Sequence, residues 1–100
     1  MSAITLVDLK AGLRVIHSSD DGILQKHLDA SESELLRFLN LETLPVVDPE
    51  AEPAVVVPEI FPAVCLLVQT KYEVADPAEI ERIRAAAETL VMPYRATMGV

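Results

Sequence analysis

The sequence predicts an all-α fold, a compact bundle of about four helices over approximately residues 5–14, 21–39, 58–74 and 77–92. In these stretches apolar residues recur at spacings of three and four, the period of a helix with one buried face. Residues that favour helix ends, such as Thr5, Asp76 and Pro77, stand at their edges. A chain of 100 residues has the length of one domain, so we expect a single helical domain over 1–100 with an extended tail at 93–100.

The first helix begins with a capping signal. Thr5 is followed three residues later by Asp8, the acidic form of a capping box. One narrow apolar stripe then follows from the spacing of Leu6, Leu9 and Leu13. The helix is short, so it needs packing partners to be stable.

The second helix has the longest regular pattern in the chain. We expect Asp20 or Asp21 to cap it. Its apolar positions keep helical spacing over nearly the whole of 23–39, and they are Leu24, Leu28, Leu35 and Leu39.

The segment 40–57 is rich in proline and acidic residues. Prolines at 45, 49 and 53 oppose a helix, and residues 41–60 carry five acidic side chains and no basic one. We expect a long acidic loop that serves as an interaction element, with a short edge hairpin between its two valine runs as the alternative.

The third helix is predicted from Pro58, because proline fits the first helical position. Pro62 must then kink this helix or shift its start. Residues 63–68 are apolar on every side. Such a helix is buried all round, either by its own domain or by a neighbouring subunit, and the pattern leaves both open.

The fourth helix has the clearest local signal, the run Asp76-Pro77-Ala78-Glu79. It presents Ile80, Ile83, Ala87, Leu90 and Val91 on one face, and Pro93 ends it. Across the bundle we predict a core with Tyr72 at its margin and with Leu24, Leu28, Leu35, Leu67, Val68, Ile83 and Leu90 inside.

Composition excludes several function classes. The net charge is −8, which opposes direct binding to DNA because phosphate contacts depend on Lys and Arg. A lone Cys65 cannot form an internal disulfide, the N-terminus has no signal-peptide pattern, and the apolar run 61–68 is too short to span a bilayer. We therefore expect a soluble protein of a reducing compartment.

No catalytic, metal or cofactor site is expected. His17 and His27 have no partners at metal-ligand spacing, and Cys65 lies among apolar residues. Asp20 and Asp21 are better explained as helix caps than as an acid-base pair. An enzyme would require the third helix to line a ligand pocket.

Several motifs together resemble one family, the small head-to-tail connector (adaptor) proteins of tailed bacteriophages and prophages. In chain order they are Ile4-Thr5-Leu6-x-x-Leu9-Lys10-x-x-Leu13-Arg14-Val15, Asp20-Asp21-x-x-Leu24-x-x-x-Leu28-x-Ala30, Pro58 before Ala63-Val64-x-Leu66-Leu67-Val68-x-x-x-Tyr72-Glu73, and Leu90-Val91-x-Pro93-Tyr94-Arg95. The motif positions to which we give structural roles are Leu13, Arg14, Asp20, Asp21, Leu24, Leu28, Pro58, Leu67, Tyr72 and Pro93.

The resemblance implies a mostly helical structural protein of the virion, without enzymatic activity. It implies a homo-oligomeric ring on the dodecameric portal, which completes the DNA-filled head and offers a docking platform for head-closure or tail-completion proteins. The protein would be made in the bacterial host cytoplasm and reside at the head-tail junction, away from membranes. DNA would pass through the ring without being read, in keeping with the acidic charge.

Four residues are candidate contacts to a neighbouring subunit or to the portal: Tyr94, Arg95, Glu50 and Glu52. An exposed Tyr-Arg pair is typical of interface anchors. The alternative is that Tyr94 folds back to seal the bundle and Arg95 meets the C-terminal dipole of the fourth helix. The competing function is a non-viral helical adaptor or regulator that binds a basic partner through the acidic loop.

Overall fold

The computed structural model describes residues 4–16, 18–48, 50, 52, 55–73 and 76–96. These residues form four α-helices in the order α1 (Leu6–Leu13), α2 (Asp21–Leu39), α3 (Ile60–Tyr72) and α4 (Pro77–Val91), followed by a 3-10 turn, Met92–Tyr94. The all-α prediction is confirmed, and the bounds of α2 are those predicted. The molecule is flat, with principal extents of 42 × 35 × 17 Å.

The start of α1 is capped as the sequence predicted. The Asp8 amide donates to Thr5 Oγ1 at 3.1 Å. The helix ends at Arg14, whose φ of 61° is left-handed, and the Val15 amide then donates to the Lys10 carbonyl at 2.9 Å. This turn closes the helix without a glycine and directs the chain towards α2.

Asp20 is the N-cap residue of α2, as expected, but its side chain makes no capping hydrogen bond. Its backbone carbonyl accepts from the Leu24 amide at 2.8 Å, while its carboxylate accepts from the hydroxyl of Tyr72. The N-cap position is therefore confirmed, while the Asp20 side chain serves a contact between helices.

The third helix begins at Ile60, two residues later than predicted. Residues 58 and 59 form a turn, so Pro62 lies in the first helical turn, where its missing N–H leaves no hydrogen bond unmade. Of the two possibilities for Pro62, the shifted start is confirmed. The helix packs against α1, α2 and α4, so its own chain covers most of its surface.

The core is aliphatic, as the composition predicts. Leu24, Leu28, Leu35, Leu67 and Val68 are all at most 2% exposed, and Tyr72 is half-buried. In α4 the buried positions are Ala87 and Val91.

Two predicted core positions of α4 differ. Ile83 is half-buried, and Leu90 is 38% exposed, so its assignment to the core is wrong. Adjacent residues of a helix lie about 100° apart, and burial of Val91 turns Leu90 towards solvent.

Residues 45–57, which we call the arm, include the hairpin that the sequence left as an alternative. An isolated antiparallel bridge joins Val46 to Val56. The Val57 amide donates to the Pro45 carbonyl at 3.0 Å, and the Val47 amide donates to the Val55 carbonyl at 2.8 Å. The arm connects α2 to α3 as a short, hydrogen-bonded hairpin.

Candidate functional site

Asp20 and Asp21 form a junction between three helices. Lys10 Nζ of α1 lies 2.7 Å from Asp21 Oδ1, and the Tyr72 hydroxyl of α3 donates to Asp20. The hydrogen bond to Asp20, with burial and the nearby negative charges, raises the pKa of Tyr72. Asp20 and Asp21, two of the motif positions, therefore connect the start of α2 to α3 and to α1 through polar contacts.

A second polar junction joins α2, α3 and α4, and sequence reasoning missed it. Glu34 accepts from Lys71 Nζ at 2.8 Å and from Arg84 Nε at 3.0 Å. Burial alone would raise the pKa of Glu34, but the hydrogen bonds and charges of Lys71 and Arg84 hold it below its ordinary value. These partners lie 37 and 50 residues away along the chain, so no local pattern could identify them.

The segment after α4 is bound to the start of α3 and to the C-terminal end of α2. The Tyr94 hydroxyl donates to Glu59 Oε1 at 3.0 Å, and this bond, with burial and the Glu59 charge, raises the pKa of Tyr94. Arg95 Nε donates to the Phe38 carbonyl at 2.9 Å while its guanidinium carbon lies 4.9 Å from the centre of the Phe38 ring. The Ala96 amide donates to the Leu39 carbonyl at 2.8 Å.

These bonds define a C-terminal clasp, residues 92–96. In it Tyr94 packs half-buried against the core, as the fold-back alternative expected. Arg95 meets the carbonyl end of α2, whereas the alternative assigned it to α4, because the 3-10 turn carries the chain away from its own helix. The sequence predicts an extended tail over 93–100, but residues 93 and 94 belong to the 3-10 turn. Residues 97–100 lie outside the described residues.

The remaining motif positions divide into core and surface. Leu13, Leu24, Leu28 and Leu67 are buried. On the surface are Arg14, Pro58 and Pro93.

The arm exposes an apolar face and an acidic end. Val47 and Val55, which lie opposite each other, are 63% and 59% exposed. Glu50 and Glu52 are exposed, and the Glu50 amide donates to Asp48 Oδ1 at 2.9 Å. Neither Glu50 nor Glu52 forms a salt bridge with another described residue.

Two open grooves flank the helices. One, of about 570 Å³, lies where α1, α3 and the arm meet and is lined by Ile4, Asp8, Ala11, Gly12, Val56 and Phe61. The other, of about 460 Å³, lies at the end of α2 and is lined by Ser33, Leu36, Arg37, Asn40, Leu41 and Glu42.

Neither of these two groove linings includes a His or Cys. Within the described ranges no three His, Cys, Asp or Glu residues are grouped to hold a metal ion. Burial raises the pKa of the Cys65 thiol, which makes it a weaker nucleophile. The His27 ring packs 6.4 Å from that of Tyr72, and His17 lies outside the described residues. No helix in the described part of the chain has both the length and the hydropathy to cross a membrane.

The described surface includes the arm, with its exposed apolar face and acidic end, the clasp at residues 92–96 and the two grooves. Such features are suited to binding other proteins. A family model described as the phage gp6-like head-tail connector protein matches residues 3–94. The search of curated proteins and the search of solved structures each gave no significant match. The family model covers all the motifs that suggested the resemblance except their last residue, Arg95, and the chain therefore belongs to the gp6-like head-tail connector family of phages.

Proposed function

We propose that copies of this chain form a closed ring, twelve on a dodecameric portal, that completes the DNA-filled head and presents a platform to head-closure or tail-completion proteins. The observation that carries the proposal is the family match over residues 3–94, which implies a structural connector role at the head-tail junction and assembly with portal and tail proteins. A ring arises from one gene product when a heterologous interface closes on itself.

Charge supports the passage of DNA through such a ring. The net charge of −8 disfavours adhesion of the chain to a phosphate backbone. Among described residues, most cations are already engaged: Lys10, Lys71, Arg82 and Arg84 form salt bridges, and Arg95 is bound to the Phe38 carbonyl. DNA would slide past this protein without sequence-specific contacts.

Tyr94, Arg95, Glu50 and Glu52 remain our candidates for contacts to a neighbour or to the portal. Arg95 is exposed although its Nε is bound to Phe38, so the rest of its guanidinium is available to a partner. Glu50 and Glu52 stand at the exposed end of the arm. In this proposal the clasp fixes Tyr94 and Arg95 in place before a partner binds.

The test is assembly with the portal of the same phage. Purified chain is mixed with portal rings, and complexes are sized by native mass spectrometry and viewed by negative-stain electron microscopy. We expect a complex of fixed stoichiometry with an added ring of density under the portal. Absence of any complex at concentrations far above those in an infected cell would refute the proposal.

Variants then test the candidate contacts. Arg95→Ala and Glu50→Gln should weaken portal or ring binding, and Arg82→Ala is the matched control because Arg82 is 69% exposed on α4. Each variant is first checked for unchanged helical circular dichroism. Equal binding by all three variants would remove Arg95 and Glu50 as contacts while leaving the ring itself intact.

A further inference from the structure

Two of the unpaired cations of the described chain lie on one helix. Arg14, Lys26 and Arg37 are exposed and form neither a salt bridge nor a side-chain hydrogen bond with any other described residue, and Lys26 and Arg37 lie on α2. Several carboxylates of the described chain are likewise without a salt bridge or side-chain hydrogen bond. They are Glu50 and Glu52 on the arm, and Asp8, Glu42, Glu73 and Glu88 elsewhere.

Lys26 and Arg37 share one face of α2. They are separated by eleven residues, three turns of about 3.6 residues each, so they project in the same direction about 16 Å apart. Ala30 and Ser33, which lie between them on this face, are small and exposed. The outer face of α2, defined by Lys26, Ala30, Ser33 and Arg37, is therefore a low surface with a cation at each end, and the exposed Asp29 borders it one turn from Lys26.

This face runs into the groove of about 460 Å³ at the end of α2. Leu36 and Leu41 are half-buried in its lining, and Arg37 supplies a cation. Glu42 is the acidic side chain of the lining. The groove thus combines two half-buried leucines with polar side chains of both charges.

The arm has the complementary chemistry. Val47 and Val55 form an exposed apolar pair, and Asp48, Glu50 and Glu52 follow Val47 within five residues. The Asp48 carboxylate accepts from the Glu50 amide, so these acidic side chains are grouped where the arm turns back on itself. The arm's other face is used within the chain, because Val56 packs against the core. Val57 shares the face of Val55 but is buried where the arm meets α3.

We propose, on the basis of the proposed ring, that the arm of one copy docks on the outer face of α2 and its groove in the next copy. Val47 and Val55 cover Leu36 and Leu41, and the acidic end of the arm faces Arg37 and Lys26. The contact is head-to-tail, so each copy uses both surfaces and the ring can close. Complementary charges set the register of this contact and discourage a reversed one.

A charge swap tests the pairing. Arg37→Glu and Glu50→Arg should each weaken self-assembly by about tenfold or more, since each places like charges together. The double variant Arg37→Glu/Glu50→Arg restores opposite charges and should recover most of the wild-type assembly. Arg82→Glu, an exposed reversal on α4, is the control and should assemble normally. Glu42→Gln should strengthen assembly because it removes the acidic side chain from the groove.

Disulfide cross-linking tests this contact between copies in the absence of a portal. In a Cys65→Ser background, copies carrying Val47→Cys are mixed at millimolar concentration with copies carrying Leu41→Cys and oxidised. We expect mixed dimers in excess of either homodimer, and fewer of them when Arg37→Glu is added.

The outcomes separate this inference from the proposed function. If rings form on the portal but tolerate both single reversals, and no mixed dimer appears, the docking surface is wrong and the ring stands. If mixed dimers form with charge-swap rescue but no portal complex exists, the docking is supported and the connector function fails. Absence of both the portal complex and the mixed dimer overturns both.

Discussion

Replacing Glu34 with glutamine should destabilise the fold more than the loss of any fully exposed charge. Glu34 is 24% exposed and bridges Lys71, also 24% exposed, and Arg84, 36% exposed. Fully exposed pairs contribute about 0.2–1 kcal/mol and charge-assisted hydrogen bonds in buried sites about 1.5–3 kcal/mol. These partly screened pairs fall between those limits, so we expect about 1 kcal/mol each and a total loss of about 2 kcal/mol.

The assay is urea unfolding followed by circular dichroism at 222 nm. With an m-value of about 2 kcal/mol per M of urea, a loss of about 2 kcal/mol lowers the urea midpoint by about 1 M. Glu81→Gln is the matched control, because Glu81 binds the same Arg84 at 2.7 Å but is 71% exposed. We expect this control to lose less than about 0.5 kcal/mol.

The pH dependence provides a second readout. The pKa of Glu34 is lower in the folded chain than in the unfolded chain, so its contribution is complete above the unfolded pKa. The contribution is lost as pH falls through the folded pKa. The difference between wild type and Glu34→Gln should therefore be full at pH 7 and shrink as acid protonates Glu34. A difference that is unchanged in acid, or a loss at pH 7 no greater than that of Glu81→Gln, would refute the reasoning.

Three further predictions concern packing, each measured by urea unfolding with wild type alongside. Leu28→Ala should cost about 2–5 kcal/mol by opening a cavity, and Leu90→Ala less than about 1 kcal/mol because Leu90 is 38% exposed; similar losses would contradict the placement of Leu90. Gly12→Val should cost about 1–3 kcal/mol, because even its first added carbon would stand 3.0 Å from an aromatic carbon and 3.1 Å from a thiol sulfur, whereas Gly22→Ala adds a carbon with no heavy atom within 4 Å and should be neutral or stabilising. Ser31→Ala should stabilise by about 0.5–1 kcal/mol, because the Ser31 hydroxyl is fully buried and has no hydrogen-bond partner among described residues; a loss of stability would indicate a partner.

The helices were predictable because their signals are local. Thr5 with Asp8 marks the start of α1, and Asp76 with Pro77 marks the start of α4. In α2, leucines at helical spacing identify the buried face without knowledge of what covers it. The family resemblance, which the match over residues 3–94 confirms, depends on the same local motifs in order.

The errors and omissions arise where distant parts of the chain meet. Leu90 lies on a plausible apolar stripe, but the rotation of α4 against α3 is set by close packing at Ala87 and Val91, which the stripe does not specify. Glu34 has the sequence appearance of a solvated position, and only the tertiary fold brings two cations to it. The partner of Arg95 differs from the expected one for the same reason, since helix ends far apart in sequence are adjacent in space.

The bond between Ala96 and Leu39 has a mechanical consequence. It makes residues 40–95 a loop whose two ends are held side by side, with Arg95 on the Phe38 carbonyl as a second tie. These two bonds connect the end of the clasp to α2 beside the covalent path through the hairpin and α4. A displacement of α2 at Phe38 and Leu39 would therefore be felt at Arg95 and Ala96 without passing through the hairpin first.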